Sequence, residues 1–281
     1  MFTPWRTLRL PVYSDPAREF MAYEPRTRLY VTADLAEGVR IELASSQAHY
    51  VATVLRLKPG APVALFNGRD GEWRATIESF ARGSGVALVE RRMRAQGAGC
   101  DLWLAFAPIK RARIDFLVEK ATELGVSVLQ PVLTQRTVID RLNLERLRAH
   151  VLEAAEQTER LSLPELRAPI TLDHLIATWP RDRRLLFCDE SGTSPSIAES
   201  LARAQSGAWG VLTGPEGGFA ETELDALKKL PFVSAVGLGP RVLRADTAAL
   251  SALAVFQALL GDWVSESLAA ARAGERSSRQ P

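Results

Sequence analysis

Two glycine-rich stretches decide how the carboxyl-terminal half of this chain is built: VLTGPEGGF at residues 211–219 and VGLGPRVLRADTAA at residues 236–249. Each follows a short apolar run, Ala208 to Leu212 and Val233 to Val236, and a helical pattern from Glu221 to Lys229 lies between them. This order predicts two parallel strands of one sheet. Small ligands bind at the carboxyl ends of such strands, so we expect both loops to line one binding site.

The glycines of the first stretch favour close contact between the backbone and a ligand. Gly214, Gly217 and Gly218 lack a Cβ, so the backbone can adopt a positive φ, and Pro215 stiffens the bend between them. A tight turn before a helix explains a single motif of this kind equally well, because short glycine motifs often match by chance. The second glycine turn at the same sheet edge favours the binding site, with Gly217 and Gly239 in its wall.

Two common nucleotide-binding patterns are absent from the sequence. Without GxxxxGK[ST] there is no lysine and hydroxyl for a triphosphate and its magnesium ion. Without a strand, GxGxxG and a later acidic residue, the sequence argues against NAD and against Rossmann-type methyltransferases. The remaining glycines, backbone amides and apolar side chains of Leu238, Val242 and Leu243 suit an adenine ring and a small zwitterion.

Composition predicts a soluble, cytoplasmic enzyme. With 281 residues, of which 47% are hydrophobic, the chain is long enough for two cores. No apolar stretch approaches the roughly 18 residues that cross a bilayer, so we expect no membrane partner. Cys100 and Cys188 lie in predicted strands and are expected to be buried, reduced thiols. Neither they nor the three histidines have the spacing of a metal site.

The pattern of elements predicts two domains. Residues 28–94 alternate short strands with turns around one helix from Ser46 to Leu55, which is typical of a small β-barrel, and Gly68 to Gly71 closes a hairpin. Residues 95–264 alternate strands and helices, which indicates a mostly parallel sheet. The predicted strands are 28–32, 39–43, 63–67, 72–80 and 86–92 in the first domain and 100–107, 126–133, 185–188, 209–213 and 233–236 in the second.

Both ends of the chain differ from these domains. Four prolines interrupt residues 1–27, so we expect an extended or disordered arm, and residues 265–281 form a loose polar tail. At the end of the second domain, Asp246 or Thr247 is expected to cap a last helix. That helix is apolar on more than one side, which favours burial against a second copy of the chain.

The front domain is the more basic of the two. Residues 28–94 carry ten positive and seven negative charges, whereas residues 95–264 carry eighteen positive and twenty-one negative charges. Such a surplus suits the phosphates of RNA, although a solvated surface is an equally good explanation of the charge alone. The cations in question are Arg56, Lys58, Arg69, Arg74, Arg91, Arg92 and Arg94.

The residues resemble a known family. LTGPEGGFAETEL followed by VGLGPRVLRADTAAL is similar to the signature of the RsmE family, SPOUT-class methyltransferases that make N3-methyluridine in small-subunit ribosomal RNA. The resemblance continues through Lys110 to Val138, Glu153 to Leu166, and His49 to Ile77, the last of which matches the family's RNA-binding front domain. It covers roughly residues 28–262, and the two glycine motifs together are highly specific.

This resemblance implies a fold, a cofactor and partners. The fold is α/β, with a PUA-like barrel at residues 28–94 and a SPOUT domain at residues 95–264. A trefoil knot ties the mostly parallel SPOUT sheet, an exception to the rule that chains do not thread loops. The final helix would then pass through the loop around Gly214 to Phe219. The cofactor is S-adenosylmethionine, and the partners are 16S rRNA, or the assembled small ribosomal subunit, and a second copy of the chain; no metal is expected.

The two glycine loops, the basic front domain and the resemblance together give the predicted site residues. Cofactor binding is assigned to the two loops, namely to Leu212, Thr213, Gly214, Pro215, Glu216, Gly217, Gly218, Leu238, Gly239, Arg241, Val242, Leu243 and Arg244. RNA binding is assigned to Arg56, Lys58, Arg69, Arg74, Lys110, Arg111 and Arg160.

Uridine N3 is protonated at neutral pH. Methyl transfer to it therefore needs a carboxylate that removes the proton, or a cation that stabilises the developing uridine anion. S-adenosylmethionine carries its own leaving group, so the protein mainly aligns the nucleophile and handles that proton. We expect Glu216 as the base and Arg244 as a clamp on substrate or cofactor, with Glu123 and Arg136 as further catalytic candidates. Each of these residues could instead form a structural ion pair. The same holds for the remaining charged candidates, Glu156, Arg160, Arg241 and Asp246.

Two other functions stay open at this point. A SPOUT ribose 2′-O-methyltransferase is the nearer alternative. Those enzymes resemble one another in a motif rich in Ser, Leu, Asn and Val after the last strand, and in this chain the different segment Leu238 to Thr247 replaces that motif. A non-catalytic RNA-binding protein of ribosome assembly is the other alternative. Cofactor binding separates it from an enzyme.

Overall fold

The computed structural model describes residue 25 and residues 27–81, 83–139 and 141–264. Most of the predicted arm and all of the predicted tail lie outside the described residues. The described chain divides into two compact units. One holds the residues up to Phe66 together with Glu72 to Arg94, and the other holds Asn67 to Gly71 together with the residues from Ala95 onward.

The first unit is a five-stranded sheet in the order β1-β3-β4-β5-β2. Its strands are β1 (Arg28–Tyr30), β2 (Arg40–Leu43), β3 (Pro62–Phe66), β4 (Glu72–Ala81) and β5 (Ser84–Arg94). The pair β1 and β3 is parallel and the other pairs are antiparallel. All five predicted strands are therefore confirmed. The predicted helix is also present, as α1 (Ser45–His49) continuing into a π-helical turn from Tyr50 to Val54.

The core of this unit lies where alternate side chains of the strands meet the helix. Because neighbouring residues of a strand point to opposite faces, Val63 and Leu65 of β3 and Ala75 and Ile77 of β4 reach the same core, and Val51 packs with them. The turn between β3 and β4 is closed by the side-chain oxygen of Asn67, which accepts hydrogen bonds from the backbone N–H groups of Arg69 at 3.0 Å and Asp70 at 2.9 Å.

The second unit contains a seven-stranded sheet in which every pairing is parallel. The strand order is β12-β10-β11-β6-β7-β8, and β9 also pairs with β7. Its strands are β6 (Leu102–Phe106), β7 (Val128–Leu133), β8 (Glu165–Leu166), β9 (Ile170–Thr171), β10 (Arg184–Cys188), β11 (Trp209–Thr213) and β12 (Val233–Val236). The five predicted strands are confirmed, and the two-residue strands β8 and β9 were not predicted.

Helices cover both faces of this sheet because the strands are apolar on both sides. They are α2 (Arg111–Glu123), α3 (Leu144–Gln157), α4 (Leu172–Thr178), α5 (Ile197–Ala202), α6 (Glu221–Lys228) and α7 (Ala245–Leu259). Leu104 and Val211 pack with α2, α3, α5 and α7, whereas Ala105 and Leu212 pack with α4 and α6. No helix in the described part of the chain is long and apolar enough to cross a membrane.

The start of α7 differs from the prediction. Arg244, not Asp246 or Thr247, occupies the N-cap position, and no side chain caps the helix there. The carboxylate of Asp246 instead accepts two hydrogen bonds from Nη1 of Arg113 on α2, at 3.2 and 3.0 Å. Leu253 and Phe256 of α7 are fully buried within their own unit. The trefoil knot and the homodimer stay predictions.

Candidate functional site

Three loops meet at the carboxyl edge of the second sheet. Because β10 lies between β11 and β12, the loops after all three strands are neighbours: residues 189–196, residues 214–220 and residues 237–244. The first and third are joined where Gly237 donates to the carbonyl of Pro195 at 2.8 Å and Ile197 donates to the carbonyl of Gly237 at 3.0 Å. They surround a pocket of about 770 Å³.

Most of the residues assigned to the cofactor line this pocket. They are Thr213, Gly214, Pro215, Glu216, Gly218, Leu238, Gly239, Arg241, Val242, Leu243 and Arg244. Leu212 and Gly217 do not line it, and their assignment to the cofactor stays a prediction. Leu212 is fully buried among the core residues under α4 and α6, because neighbouring residues of β11 face opposite sides. The carbonyl of Gly217 turns toward Arg136, whose Nη1 donates to it at 3.0 Å.

The need for glycine in the first loop lies at two positions. A Cβ on Gly214 would lie 2.6 Å from the ring of Phe219, closer than Cβ atoms come to other atoms in folded proteins. Gly218 has a φ of +66°, and a Cβ there would collide with the carboxylate of Glu190. At Gly217 the nearest atom to an added Cβ is 3.6 Å away, an ordinary contact. Gly217 is therefore not the position that requires glycine.

The loop after β10 forms a wall that the sequence did not predict. The carboxylate of Asp189 is buried and accepts hydrogen bonds from the backbone N–H and the hydroxyl of Ser191, at 3.0 and 2.9 Å, and from the hydroxyl of Ser194 at 2.7 Å. Burial alone would raise the pKa of Asp189, but these hydrogen bonds and the charge of Lys228 outweigh it and hold the pKa below its ordinary value. Asp189, Glu190 and Ser191 all line the pocket.

Both cysteines are poor nucleophiles. Burial raises the pKa of Cys188, the last residue of β10 and part of the pocket wall, to about 12. Burial and the nearby carboxylates of Asp262 and Asp101 raise the pKa of Cys100 to about 11. Since a thiolate is the reactive form, neither side chain is suited to covalent catalysis near neutral pH. Among the described residues, no group of His, Cys, Asp and Glu could hold a metal ion.

Three of the four catalytic candidates lie at the pocket. Glu216 and Arg244 are exposed at its rim, and Arg136 reaches it from the turn after β7. Glu123 does not join them, and a catalytic role for it stays a prediction without support from the pocket. Helix α2 runs from the carboxyl end of β6 to the amino end of β7, and its 13 residues span about 20 Å, so Glu123 lies at the opposite sheet edge. There it accepts a hydrogen bond from Lys120 at 2.7 Å.

Of the remaining charged candidates, Arg241 lines the pocket, and the others have local partners or lie elsewhere. Asp246 is bonded to Arg113, as described above, and Glu156 lies on α3, outside the pocket. Arg160 donates to the carbonyls of Thr122 at 2.5 Å and Val126 at 3.0 Å, and burial lowers its pKa to about 10. That arginine therefore stays charged at neutral pH and supports the end of α2.

The residues assigned to RNA binding fall into two groups. In the first, Arg74 lies beside Glu90, to which its Nε donates at 2.8 Å, and Arg160 has the partners given above. The second group is exposed and consists of Arg56, Lys58, Arg69, Lys110 and Arg111. RNA binding by these side chains stays a prediction.

Comparisons with known proteins identify the domains. The family described as RNA methyltransferase domain matches residues 91–257, and the family described as RNA methyltransferase PUA domain matches residues 43–87. The protein named ribosomal RNA small subunit methyltransferase E from Rickettsia conorii is 34% identical over 244 residues, which are 85% of this chain and 98% of that protein. The protein of the same name from Synechocystis is 35% identical over 258 residues, 90% of this chain and 83% of that protein.

Solved structures agree with this assignment. The ribosomal RNA small subunit methyltransferase E from Neisseria gonorrhoeae, bound to S-adenosyl methionine, superposes with a TM-score of 0.77 at 27% identity, covering 85% of this chain and 99% of that one. A putative methyltransferase from Legionella pneumophila, in complex with the bound cofactor SAM, has a TM-score of 0.76 at 29% identity and covers 84% of this chain and 98% of that one. With its two glycine loops and its two matched domains, the chain belongs to the RNA methyltransferase family of the ribosomal RNA small subunit methyltransferase E proteins.

Proposed function

We propose that this chain is an S-adenosylmethionine-dependent methyltransferase that modifies N3 of a uridine in 16S rRNA. One observation carries the proposal: both glycine loops line a single pocket at the carboxyl edge of the parallel sheet. The names of its relatives and the cofactor bound in two similar structures support the same activity.

The residues of the pocket fit S-adenosylmethionine. A volume of about 770 Å³ lies within the range of sites for small molecules. Apolar side chains of Leu238, Val242 and Phe219 offer a surface for the adenine ring. The cofactor carries a sulfonium and an ammonium group, and the carboxylates of Asp189 and Glu190 in the wall complement those positive charges.

The chemistry requires little covalent participation from the protein. When bound, S-adenosylmethionine supplies a methyl group on a sulfonium that leaves as a neutral thioether. Glu216, exposed at the rim, takes the proton from uridine N3. Arg244 and Arg136, also at the pocket, stabilise the negative charge that spreads onto the uracil oxygens as that proton leaves.

The first unit is proposed to hold the RNA through phosphate contacts. Arg56 and Lys58 are exposed beside the helical segment of that unit. Replacing both with alanine is expected to weaken RNA binding for every sequence and to reduce the slope of log affinity against log salt by about 1 to 2. An unchanged slope would show that these two cations do not contact RNA. A homodimer and a cytoplasmic location, where ribosomes are assembled, complete the proposal.

The product of the reaction tests the proposed function. A methyl group on N3 replaces the proton that pairs with adenine, so reverse transcriptase stops firmly at the modified uridine. Small-subunit rRNA from cells lacking the protein, incubated with protein and S-adenosylmethionine, should gain one stop that persists at high nucleotide concentration. A stop that appears only when nucleotides are scarce would indicate ribose 2′-O-methylation. Binding of rRNA without methyl uptake would indicate a non-catalytic protein.

A further inference from the structure

Glu223 joins two loops that are far apart in sequence. It lies in the first turn of α6 and only 7% of its surface is exposed. One carboxylate oxygen accepts a hydrogen bond from the backbone N–H of Ala220 at 2.8 Å, and the other accepts from the backbone N–H of Gln135, also at 2.8 Å. Ala220 ends the loop after β11, residues 214–220, which is called the glycine loop below. Gln135 belongs to the turn after β7.

Helix α6 itself needs only one of these two bonds. A glutamate three residues after the N-cap commonly accepts the N–H of the N-cap residue, here Ala220, and its charge suits the helix N-terminus. The bond to Gln135 adds nothing to the helix. It attaches the turn after β7, and it is a charge-assisted bond from a backbone N–H to a buried carboxylate, which is the stronger kind.

The turn after β7, which consists of residues 134–137 and is called the β7 turn below, holds its own shape. The backbone N–H of Thr137 donates to the carbonyl of Thr134 at 3.1 Å, and the hydroxyl of Thr137 accepts from the N–H of Thr134 at 2.9 Å. These two hydrogen bonds fix the internal geometry of the turn. The contacts between this turn and its neighbours therefore determine the position of Arg136.

Two further bonds attach the β7 turn to the same region as Glu223. Nε2 of Gln135 donates to the hydroxyl of Thr222 at 3.1 Å, and Nη1 of Arg136 donates to the carbonyl of Gly217 at 3.0 Å. The donors of Gln135 and Arg136 thus all reach the glycine loop or the first turn of α6. Hydrogen bonds therefore link the β7 turn to the glycine loop, and one of these links runs through the buried carboxylate of Glu223.

We propose, on the basis of the function proposed above, that Glu223 is a positioning residue for Arg136. Its carboxylate fixes the β7 turn against the glycine loop, so that the guanidinium of Arg136 lies at the pocket while Gly218 and Glu216 line the same pocket. The loop that contacts the methyl donor then also sets the position of a cation that faces the uridine. Glu223 acts through Arg136 and touches neither substrate.

Hydrogen exchange tests the contact without any assay of activity. In Glu223→Gln an amide leaves one acceptor oxygen where the carboxylate had two. A glutamine at this position of a helix still accepts the N–H of the N-cap residue, here Ala220, so the N–H of Gln135 is the group that loses its acceptor. We expect amide exchange in a peptide covering residues 134–139 to become about tenfold faster. Asp225→Asn, an exposed carboxylate on the same helix, is the matched control and should leave that exchange unchanged. Unchanged exchange in Glu223→Gln overturns the proposal.

A second variant covers the case in which Glu223→Gln does not fold. Thr222→Ala removes the hydroxyl that accepts from Gln135 and leaves the buried carboxylate in place, and Thr222 is exposed. Exchange in the same peptide should then rise by a smaller factor. If exchange stays at the wild-type rate in this variant as well, Gln135 is not held by α6 and the proposal fails.

Steady-state kinetics separate positioning from a purely structural role. Glu223→Gln should lower kcat by about tenfold to 100-fold and leave KM for S-adenosylmethionine within about twofold. In an Arg136→Ala background the same substitution should cause no further loss. An equal loss in both backgrounds, or a loss of cofactor affinity that matches the loss of kcat, overturns the proposal. A wild-type protein without methyl transfer would refute the proposed function, while the exchange rates still decide whether Glu223 holds the turn.

Discussion

Each edge of the parallel sheet carries an arginine, and the two arginines have different surroundings. At the amino edge, Arg183 is bonded to both carboxylate oxygens of Asp101, at 2.8 and 2.7 Å, and to the carbonyl of Trp209 at 2.9 Å. At the carboxyl edge, Arg244 is exposed at the rim of a pocket. The number of charges in the sequence does not distinguish these two arginines. Their hydrogen-bond partners show that one edge supports the fold and the other is open to a ligand.

The sharpest test of this contrast is the loss of a charge at the carboxyl edge. Glu216→Gln is expected to lower kcat by about 100-fold to 10,000-fold, because the proton on uridine N3 loses its acceptor. Cofactor affinity, measured by calorimetry, and the thermal midpoint should stay at the wild-type values. Glu221→Gln changes another exposed carboxylate of the same pocket and serves as the control. Equal losses in both variants would remove Glu216 as the base.

The converse change is made at the amino edge. Arg183→Ala removes a side chain that is 8% exposed and leaves the carbonyl of Trp209 without this donor. It also removes the guanidinium from the ring of Trp103, which lies 3.9 Å away. We expect the free energy of unfolding to fall by about 2 to 4 kcal/mol, as measured by denaturant titration.

Two controls define the outcome of that experiment. Arg181→Ala, an exposed arginine of the same turn, should change stability by less than about 0.5 kcal/mol. At temperatures where Arg183→Ala is folded, its kcat should equal that of the wild type. A folded variant with reduced kcat would show that the amino edge contributes to the reaction, and the contrast between the edges would no longer hold.

A smaller effect is expected where the backbone rather than a charge shapes the pocket. Gly218→Ala places a Cβ at a φ of +66° and against the carboxylate of Glu190. We expect the Kd for S-adenosylmethionine to rise about tenfold, which corresponds to about 1.4 kcal/mol of strain. Gly217→Ala, where the added Cβ meets only ordinary contacts, should bind like the wild type. Loss of affinity in both variants would mean that the whole loop, and not Gly218, carries the requirement.

The smallest expected effect is none at all. Cys188 ends β10 at the carboxyl edge and Cys100 precedes β6 at the amino edge. With pKa values of about 12 and about 11, both thiols stay protonated at pH 7.5. Mass spectrometry after brief treatment with a maleimide should find the folded protein unmodified at both positions. Rapid modification of Cys188 alone would show that the pocket exposes its wall more than the structure does.

The sequence predicted the elements whose signals are local. Each strand that leads to a glycine loop is an apolar run, and glycines and prolines in the next few residues indicate the turn. The sequence therefore placed the loops after β11 and β12 at one edge of the sheet. The position of β10 between β11 and β12 depends on how the chain crosses over between strands, and no local sequence pattern predicts that crossover. For that reason the wall around Asp189 was missed, although a polar turn directly after a predicted strand was the available signal.

Two charged candidates lie away from the pocket for a related reason. Glu123 lies in a stretch that resembles the family, but the stretch includes a whole helix, and only one end of that helix is near the pocket. Arg160 is bonded to carbonyls at the end of α2 and in the segment between α2 and β7, so its role depends on contacts across more than thirty positions of sequence. Which end of an element a residue occupies matters more for function than its membership in a motif.

The order β12-β10-β11 also bears on when the pocket comes into being during synthesis. Strand β12 and the loop that follows it, residues 237–244, are among the last parts of the described chain to be made, and β12 pairs with β10, a strand made about fifty residues earlier. Since domains fold as their residues become available, a nascent chain that ends before β12 has the first glycine loop but only part of the pocket. Cofactor binding, and with it any stabilisation by ligand, therefore begins only once nearly the whole domain has been synthesised.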